Sequence, residues 1–144
     1  WHGPALRPIL ADVTAEQANA RPVQGAHSIR ELAAHIAAWL RAALDGIETG
    51  RVEVSDAEDY PAAEAGGAAW RECLADLERA YQRLHAGILR LEDTALEREL
   101  LTDEVRYSGY LLLHGAIHHT LYHAGQIMLL KRAAAGVSPG GGTR

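Results

Sequence analysis

The segment 28–50 is the feature that most constrains how this chain can fold. Ser28-Ile-Arg-Glu31 has the spacing of a capping box, in which the serine side chain caps a helix and the glutamate reaches back to the capping residue. Apolar residues then recur at helical spacing as far as Thr49, and Gly50 supplies a stop. The pattern therefore predicts an amphipathic helix over residues 29–49, which must bury one face against other helices.

The rest of the chain also reads as helical. The expected elements, in chain order, are a helix over residues 4–11, a short helix capped by the box Thr14-Ala-Glu-Gln17 and ending near Arg21-Pro22, the helix over 29–49, a long helix over 68–90, a helical turn opened by the box Thr94-Ala-Leu-Glu97, a weakly extended stretch over 101–107, and a final helix that begins after Ser108 and ends near Ala134. Three long helices and one at the N-terminus predict an all-α four-helix bundle, with residues 1–144 forming a single domain.

Two segments depart from this regular plan. Residues 51–67 are acidic and contain Pro61 and the pair Gly66-Gly67, so they predict a long connection that acts as a lid or crossover. The chain begins at Trp1 rather than at a methionine, and we expect its first helix to be truncated. The glycine-rich residues 136–144 predict a flexible tail.

Composition excludes several classes of function. The net charge is −5 with neutral histidines and no more than two basic residues are adjacent, so a nucleic-acid interface is not expected. No apolar run reaches the roughly 18–20 residues that span a membrane, and no signal peptide is visible. The single cysteine, Cys73, rules out an internal disulfide and predicts a cytoplasmic protein in which this thiol is inert filling.

Histidine is the anomaly in the composition. The chain has eight, and His114, His118, His119 and His123 fall within ten residues of the final helix. They form two His-x-x-x-His pairs, 114/118 and 119/123. Residues four apart are neighbours on a helix surface, so either pair could bind one metal ion.

Helical geometry does not choose firmly between the pairs. At about 100° per residue they point to sides about 140° apart, so at most one pair faces the interior. Arg132 shares the side of His114 and His118, which indicates solvent. The other side is shared by Leu112, Ala116, Ile127 and Leu130, whereas Leu111, Leu121 and Leu129 spread apolar character further round the helix. The choice leans towards 119/123 and stays open.

His35 is the candidate third ligand. It lies at the edge of the apolar stripe of the 29–49 helix, one turn before Trp39, where a single histidine reads as a satisfied core residue. With a pair on a facing helix, it would instead complete a three-imidazole site with an open coordination position.

Two stretches of sequence resemble a known family. Residues 20–39 (ARPVQGAHSIRELAAHIAAW) and 114–132 (HGAIHHTLYHAGQIMLLKR) look like the signature regions of the DinB/YfiT-like superfamily of metal-dependent four-helix-bundle proteins, and YHAGQI is the most specific piece. Residues 1–22 resemble the N-terminal part of one branch, so the likeness covers most of the chain outside 50–68. The resemblance implies an up-down-down-up bundle with a long connection after the second helix.

The resemblance also implies a set of site residues. Its metal ligands correspond to His35, His119 and His123, and it gives no ligand role to the remaining histidines His2, His27, His85, His114 and His118. Gln126, Trp39 and His118 are candidates to support the ligands, and Gly125 is expected to let another helix approach closely. No catalytic residue is identified.

The activity implied by the resemblance is a metal-dependent reaction of a small molecule. Relatives include thiol-dependent S-transferases and an isomerase, so we expect one divalent ion per chain, zinc or nickel first and iron, copper or manganese next, and a transferase or hydrolase reaction that uses a low-molecular-weight thiol or water. Arg30, Arg41 and Arg106 are available to bind such a thiol's carboxylates. A homodimer is common among relatives and is expected here. The alternatives are a non-catalytic metal-binding or stress-related module, and a structural protein whose histidines are core polar residues.

Overall fold

The computed structural model describes residues 5–61, 66–101 and 106–136. Its elements are α1 (Leu6–Leu10), α2 (Ala15–Asn19), α3 (Ile29–Thr49), α4 (Asp56–Asp59), α5 (Gly67–Ile88), α6 (Asp93–Glu97), β1 (Glu99–Leu101), β2 (Arg106–Ser108) and α7 (Gly109–Gly136). The fold is all-α apart from one small hairpin, in agreement with the prediction.

Helix α3 has the bounds that the sequence predicts. The backbone N–H of Glu31 donates to Ser28 Oγ at 3.2 Å, and the backbone N–H of Ser28 donates to Glu31 Oε2 at 2.8 Å, so the capping box is formed in both directions. Gly50 ends the helix with a φ of +85°, in the left-handed region that glycine adopts without steric cost.

Helix α3 is the centre of the bundle, and both α5 and α7 pack on it. The largest fully buried side chains are Ile29 and Ile36 of α3, Leu100 of β1 and Ile127 of α7. Helices α5 and α7 leave a groove between them that α1 covers in part, with a cavity of about 760 Å³. Apolar side chains of all four helices line it, among them Leu10, Leu40, Leu77 and Ile117. The first helix is shorter than the predicted 4–11, although residue 4 lies outside the described residues.

The acidic connection is more ordered than its composition indicates. After Gly50 it forms the single turn α4, and the carboxylate of Glu58 accepts hydrogen bonds from the backbone N–H and the hydroxyl of Ser55. The sequence interpretation missed this helix because one turn has no apolar period to reveal it. Residues 62–65 of the predicted connection lie outside the described part of the chain.

The region before α7 corrects one predicted helix start. Helix α6 begins at Asp93 with Glu92 as its N-cap, so Thr94 lies inside the helix and is not its cap. The backbone determines this start, because the N–H of Ala95 bonds to the carbonyl of Glu92 at 2.9 Å. The extended stretch is a hairpin in which β1 and β2 pair antiparallel, with Glu99 opposite Ser108.

Helix α7 begins as expected and runs slightly further. The backbone N–H of Leu111 donates to Ser108 Oγ at 3.3 Å, as the predicted cap requires. The helix ends at Gly136, the first residue of the predicted tail, and residues 137–144 lie outside the described residues. The sequence has no Asp, Glu, Lys or Arg from Gly109 to Leu130. Even so, neither α7 nor any other helix in the described ranges is long and apolar enough to cross a membrane.

Candidate metal centre

The packing of α7 on α3 brings the three expected histidines together. His35 comes from α3, while His119 and His123 lie one turn apart on α7. The Nε2 atom of His119 lies 2.9 Å from Nε2 of His35 and 3.1 Å from Nε2 of His123. One ring nitrogen from each of the three residues lies within 4.8 Å of the others. The geometry thus selects the 119/123 pair, which helical periodicity had left open.

Burial keeps these imidazoles neutral. His35 and His123 are only 5% and 6% exposed, and His119 is half-buried. Burial, assisted by the neighbouring His123 and His35, lowers the pKa of His119 to about 4. Burial also lowers the pKa of His123. At neutral pH both are therefore in the unprotonated form that binds metal ions.

Two oxygen atoms fix the direction of the lone pairs. Nδ1 of His35 lies 2.9 Å from Oδ1 of Asp59, and Nδ1 of His123 lies 2.6 Å from Oε1 of Gln126. A carboxylate or amide oxygen can only accept, so in each ring Nδ1 carries the proton. The Nε2 atoms of His35 and His123 consequently direct lone pairs towards His119.

This arrangement needs a positive charge at its centre. Nε2 of a neutral His119 carries at most one proton, which can serve only one of the two facing lone pairs. At least one of the short nitrogen–nitrogen contacts would otherwise set two lone pairs against each other. A cation between the three Nε2 atoms would satisfy them all, and a set of three neutral imidazoles is suited to a divalent transition metal. The residues present therefore fit the metal that the sequence predicts.

Asp59 is the residue of this site that the sequence interpretation missed. Its Oδ1 accepts from Nδ1 of His35 and, at 2.7 Å, from the indole Nε1 of Trp39. Trp39, expected as a support for the ligands, has its ring 5.6 Å from that of His119 and also holds Asp59 in place. The sequence signal was only the acidic composition of the connection, which does not single out Asp59 among its neighbours.

Tyr60 covers one side of His35 and was also missed. Its ring is stacked between His27, at 3.8 Å between centroids, and His35, at 4.4 Å. Burial, followed by the charge of Asp59, raises the pKa of the Tyr60 phenol. The end of α4 thus supplies both a hydrogen-bond acceptor and a ring to the site.

Three other expectations about α7 have different outcomes. Gln126 contacts His123 as proposed for a supporting residue. His118 does not, because it lies on the exposed face of α7 with its ring 4.3 Å from His114. Gly125 was expected to allow close approach of another helix, but a Cβ atom there would have no neighbour within 4 Å.

The remaining reactive groups in the described residues are occupied or buried. Burial raises the pKa of the Cys73 thiol to about 11, so it is not a thiolate at neutral pH. Arg41 pairs with Asp76 at 2.7 Å and Arg106 with Glu99 at 3.3 Å, while Arg30 donates to an asparagine side chain. His85 is exposed on α5, and His2 lies outside the described residues.

Comparison with known proteins gives a consistent result. A sequence model of the DinB superfamily matches residues 1–127. No curated protein matches the chain. Among solved structures, the fold is similar to the crystal structure of the DinB-like protein YjoA from Bacillus subtilis, with a TM-score of 0.70 and 16% identity over 94% of this chain and 86% of that one. At this identity the likeness concerns the fold alone, and it supports the DinB-type fold predicted from the sequence.

Proposed function

Because the chain belongs to the DinB superfamily, we propose that it is a metal-dependent enzyme with one divalent ion held by His35, His119 and His123. The observation that carries the proposal is the convergence of three buried Nε2 atoms, of which two are fixed as acceptors by Asp59 and Gln126. Neutral imidazole ligands favour zinc or nickel first, with iron, copper and manganese as further candidates.

The chemistry follows from the number of ligands. An ion with three protein ligands keeps a position for a substrate and lowers the pKa of a thiol or water bound there towards neutrality. Asp59 and Gln126 would hold the rings of His35 and His123 in the required orientation and raise their basicity. Tyr60 would shield His35 from water on one side.

The reaction class that we propose is transfer of a low-molecular-weight thiol to a small molecule, or hydrolysis of one. None of the residues described around the histidines is a free nucleophile, since the Cys73 thiol is buried and protonated. A nucleophile brought by the substrate or by water is therefore required. We place this activity in the cytoplasm, where a lone cysteine remains reduced.

Metal analysis of the purified protein tests the binding step. We expect about one divalent ion per chain after expression with zinc and nickel present, and loss of the ion in His123→Ala. The double variant His114→Ala/His118→Ala is the matched control, since it removes a pair of the same spacing on the exposed face of the same helix. Retention of metal by His123→Ala, or its loss in the control, would overturn the assignment.

A conjugation screen tests the catalytic step separately. The metal-loaded protein is offered an electrophile together with cysteine, glutathione or a sugar-linked thiol, and ester substrates in their absence. We expect at least one rate that disappears in His123→Ala and persists in the double control variant. Metal binding without such a rate would leave a metal-binding module and reject the enzyme.

A further inference from the structure

The outward face of α7 carries a regular row of residues that the metal centre does not use. Spacings of four and three alternate along it, which is the heptad pattern of a helix that packs along another helix. Its members, which we call the α7 seam, are Leu111, Gly115, His118, Tyr122, Gly125 and Leu129. All six are exposed, and Leu111, Tyr122 and Leu129 are 56%, 65% and 66% exposed.

The α7 seam is the same in both directions. From either end it runs leucine, glycine, aromatic ring, aromatic ring, glycine, leucine, with its midpoint at Thr120. A two-fold axis at that midpoint would place Leu111 opposite the partner's Leu129 and Gly115 opposite the partner's Gly125. Such a self-complementary row is what an antiparallel contact between identical chains requires.

The glycines give this arrangement a shape. A Cβ atom built at Gly115 or Gly125 would meet nothing within 4 Å, so no neighbouring group in this chain needs the space that they leave. Facing glycines let two backbones approach closely, while the leucines and aromatic rings fill the layers between them.

Charge also favours a second copy. Each chain carries a net charge of −5, so two copies repel wherever their carboxylates meet. The 22 residues from Gly109 to Leu130 contain no charged side chain, and the seam lies within them. At its ends, the same register sets Arg132 opposite the partner's Ser108, whose neighbour across the hairpin is Glu99. Each end of the contact therefore joins opposite charges.

The available area is close to what a dimer needs. The exposed parts of Leu111, Leu121, Tyr122 and Leu129 offer on the order of 500 Å² of largely apolar surface. His114, His118 and the glycine backbones extend this face towards the roughly 800 Å² per partner of a stable interface.

We propose that the α7 seam is a docking surface for a second copy of this chain, with the two α7 helices antiparallel about Thr120. The metal centre lies at the edge of this contact, because the Tyr122 ring packs 5.0 Å from that of His123. In this register the partner's His118 faces Tyr122, so the partner would form part of the wall beside the site. The proposal does not depend on whether the protein is an enzyme.

The first test is the mass of the full-length protein in solution. Sedimentation or light scattering over a concentration series should give a dimer, and Leu129→Glu should raise the dimer dissociation constant on the order of a hundredfold, because the two-fold axis counts each change twice. Leu89→Glu is the control, since Leu89 is 74% exposed and lies outside the seam. A monomeric wild-type protein, or equal effects of the two variants, would overturn the proposal. Gly125→Glu, at a position with open space, repeats the test if Leu129→Glu fails to fold.

Disulfide trapping tests the direction of the contact. In a Cys73→Ser background, Gly115→Cys/Gly125→Cys should form an intermolecular disulfide under mild diamide oxidation, whereas Gly115→Cys alone should not. The reverse result would indicate a parallel contact, and no cross-link in either variant would reject the seam. Both outcomes contradict the proposed register.

Discussion

The Nδ1 atom of His35 lies 2.9 Å from Oδ1 of Asp59, a residue 24 positions further along the chain. This contact joins the middle of α3 to the end of α4, so the acidic connection is part of the site and not only a link between helices. A carboxylate bound to the outer nitrogen of a histidine fixes the tautomer and strengthens the inner nitrogen as a metal ligand.

Replacement of Asp59 should therefore weaken metal binding without removing a ligand. We expect Asp59→Asn to lower the affinity on the order of tenfold to a hundredfold, measured by competition with a chelator of known affinity. Asp56→Asn is the control, because Asp56 is an exposed carboxylate at the other end of α4. Equal affinities of the two variants would show that the Asp59 contact does not support a ligand.

Gln126 should act on His123 through its acceptor oxygen. Gln126→Leu removes the acceptor that holds the Nδ1 proton of His123, and we expect its metal affinity to fall on the order of tenfold. Gln126→Glu retains an acceptor at the same place and should keep most of the affinity in the same competition assay. A loss of equal size in both variants would contradict an orienting role.

The lowered pKa of His119 predicts that the metal-free protein loses stability on acidification. The pKa is about 4 in the folded state and about 6.5 when unfolded, so between these values the unfolded chain binds more protons. The contribution of this group is complete above pH 6.5 and is lost as the pH falls towards 4. Urea unfolding at pH 7 and pH 5 should show this loss, and it should be smaller in His119→Gln. A free energy of unfolding that rises on acidification by the same amount in both proteins would contradict it.

Packing at the start of α7 gives a prediction that does not involve the metal. A Cβ atom at Gly109 would lie 2.5 Å from the backbone carbonyl oxygen of Ala95, which cannot move aside as a flexible side chain can. Gly109→Ala should therefore destabilise the protein by about 1–3 kcal/mol in denaturant unfolding. Gly67→Ala is the matched control at the first residue of α5, where the nearest atom is 3.5 Å away on the Arg71 side chain. If both variants were equally stable, the close approach of Ala95 would be wrong.

Local signals account for what the sequence predicted well. Helix α3 has both of its ends as expected, because the capping box at Ser28 and the glycine at position 50 each act within a few residues. The start of α6 was misplaced by one residue because a backbone bond to Glu92, and not the hydroxyl of Thr94, sets it.

Long-range contacts account for what it did not predict. Apolar residues surround α7, so periodicity alone could not show that His119 faces α3 and that His118 faces outwards. Family resemblance indicated the three ligands. Asp59 had neither a spacing nor a signature to mark it, since only the path of the chain between α3 and α5 brings it to His35.

Anomalous diffraction from crystals of the metal-loaded protein tests the central claim most directly. Data collected on both sides of the absorption edges of zinc and nickel would locate and identify the ion in one experiment. We expect a single strong peak per chain between the Nε2 atoms of His35, His119 and His123. The absence of a peak there, or a peak between His114 and His118 instead, would contradict the account.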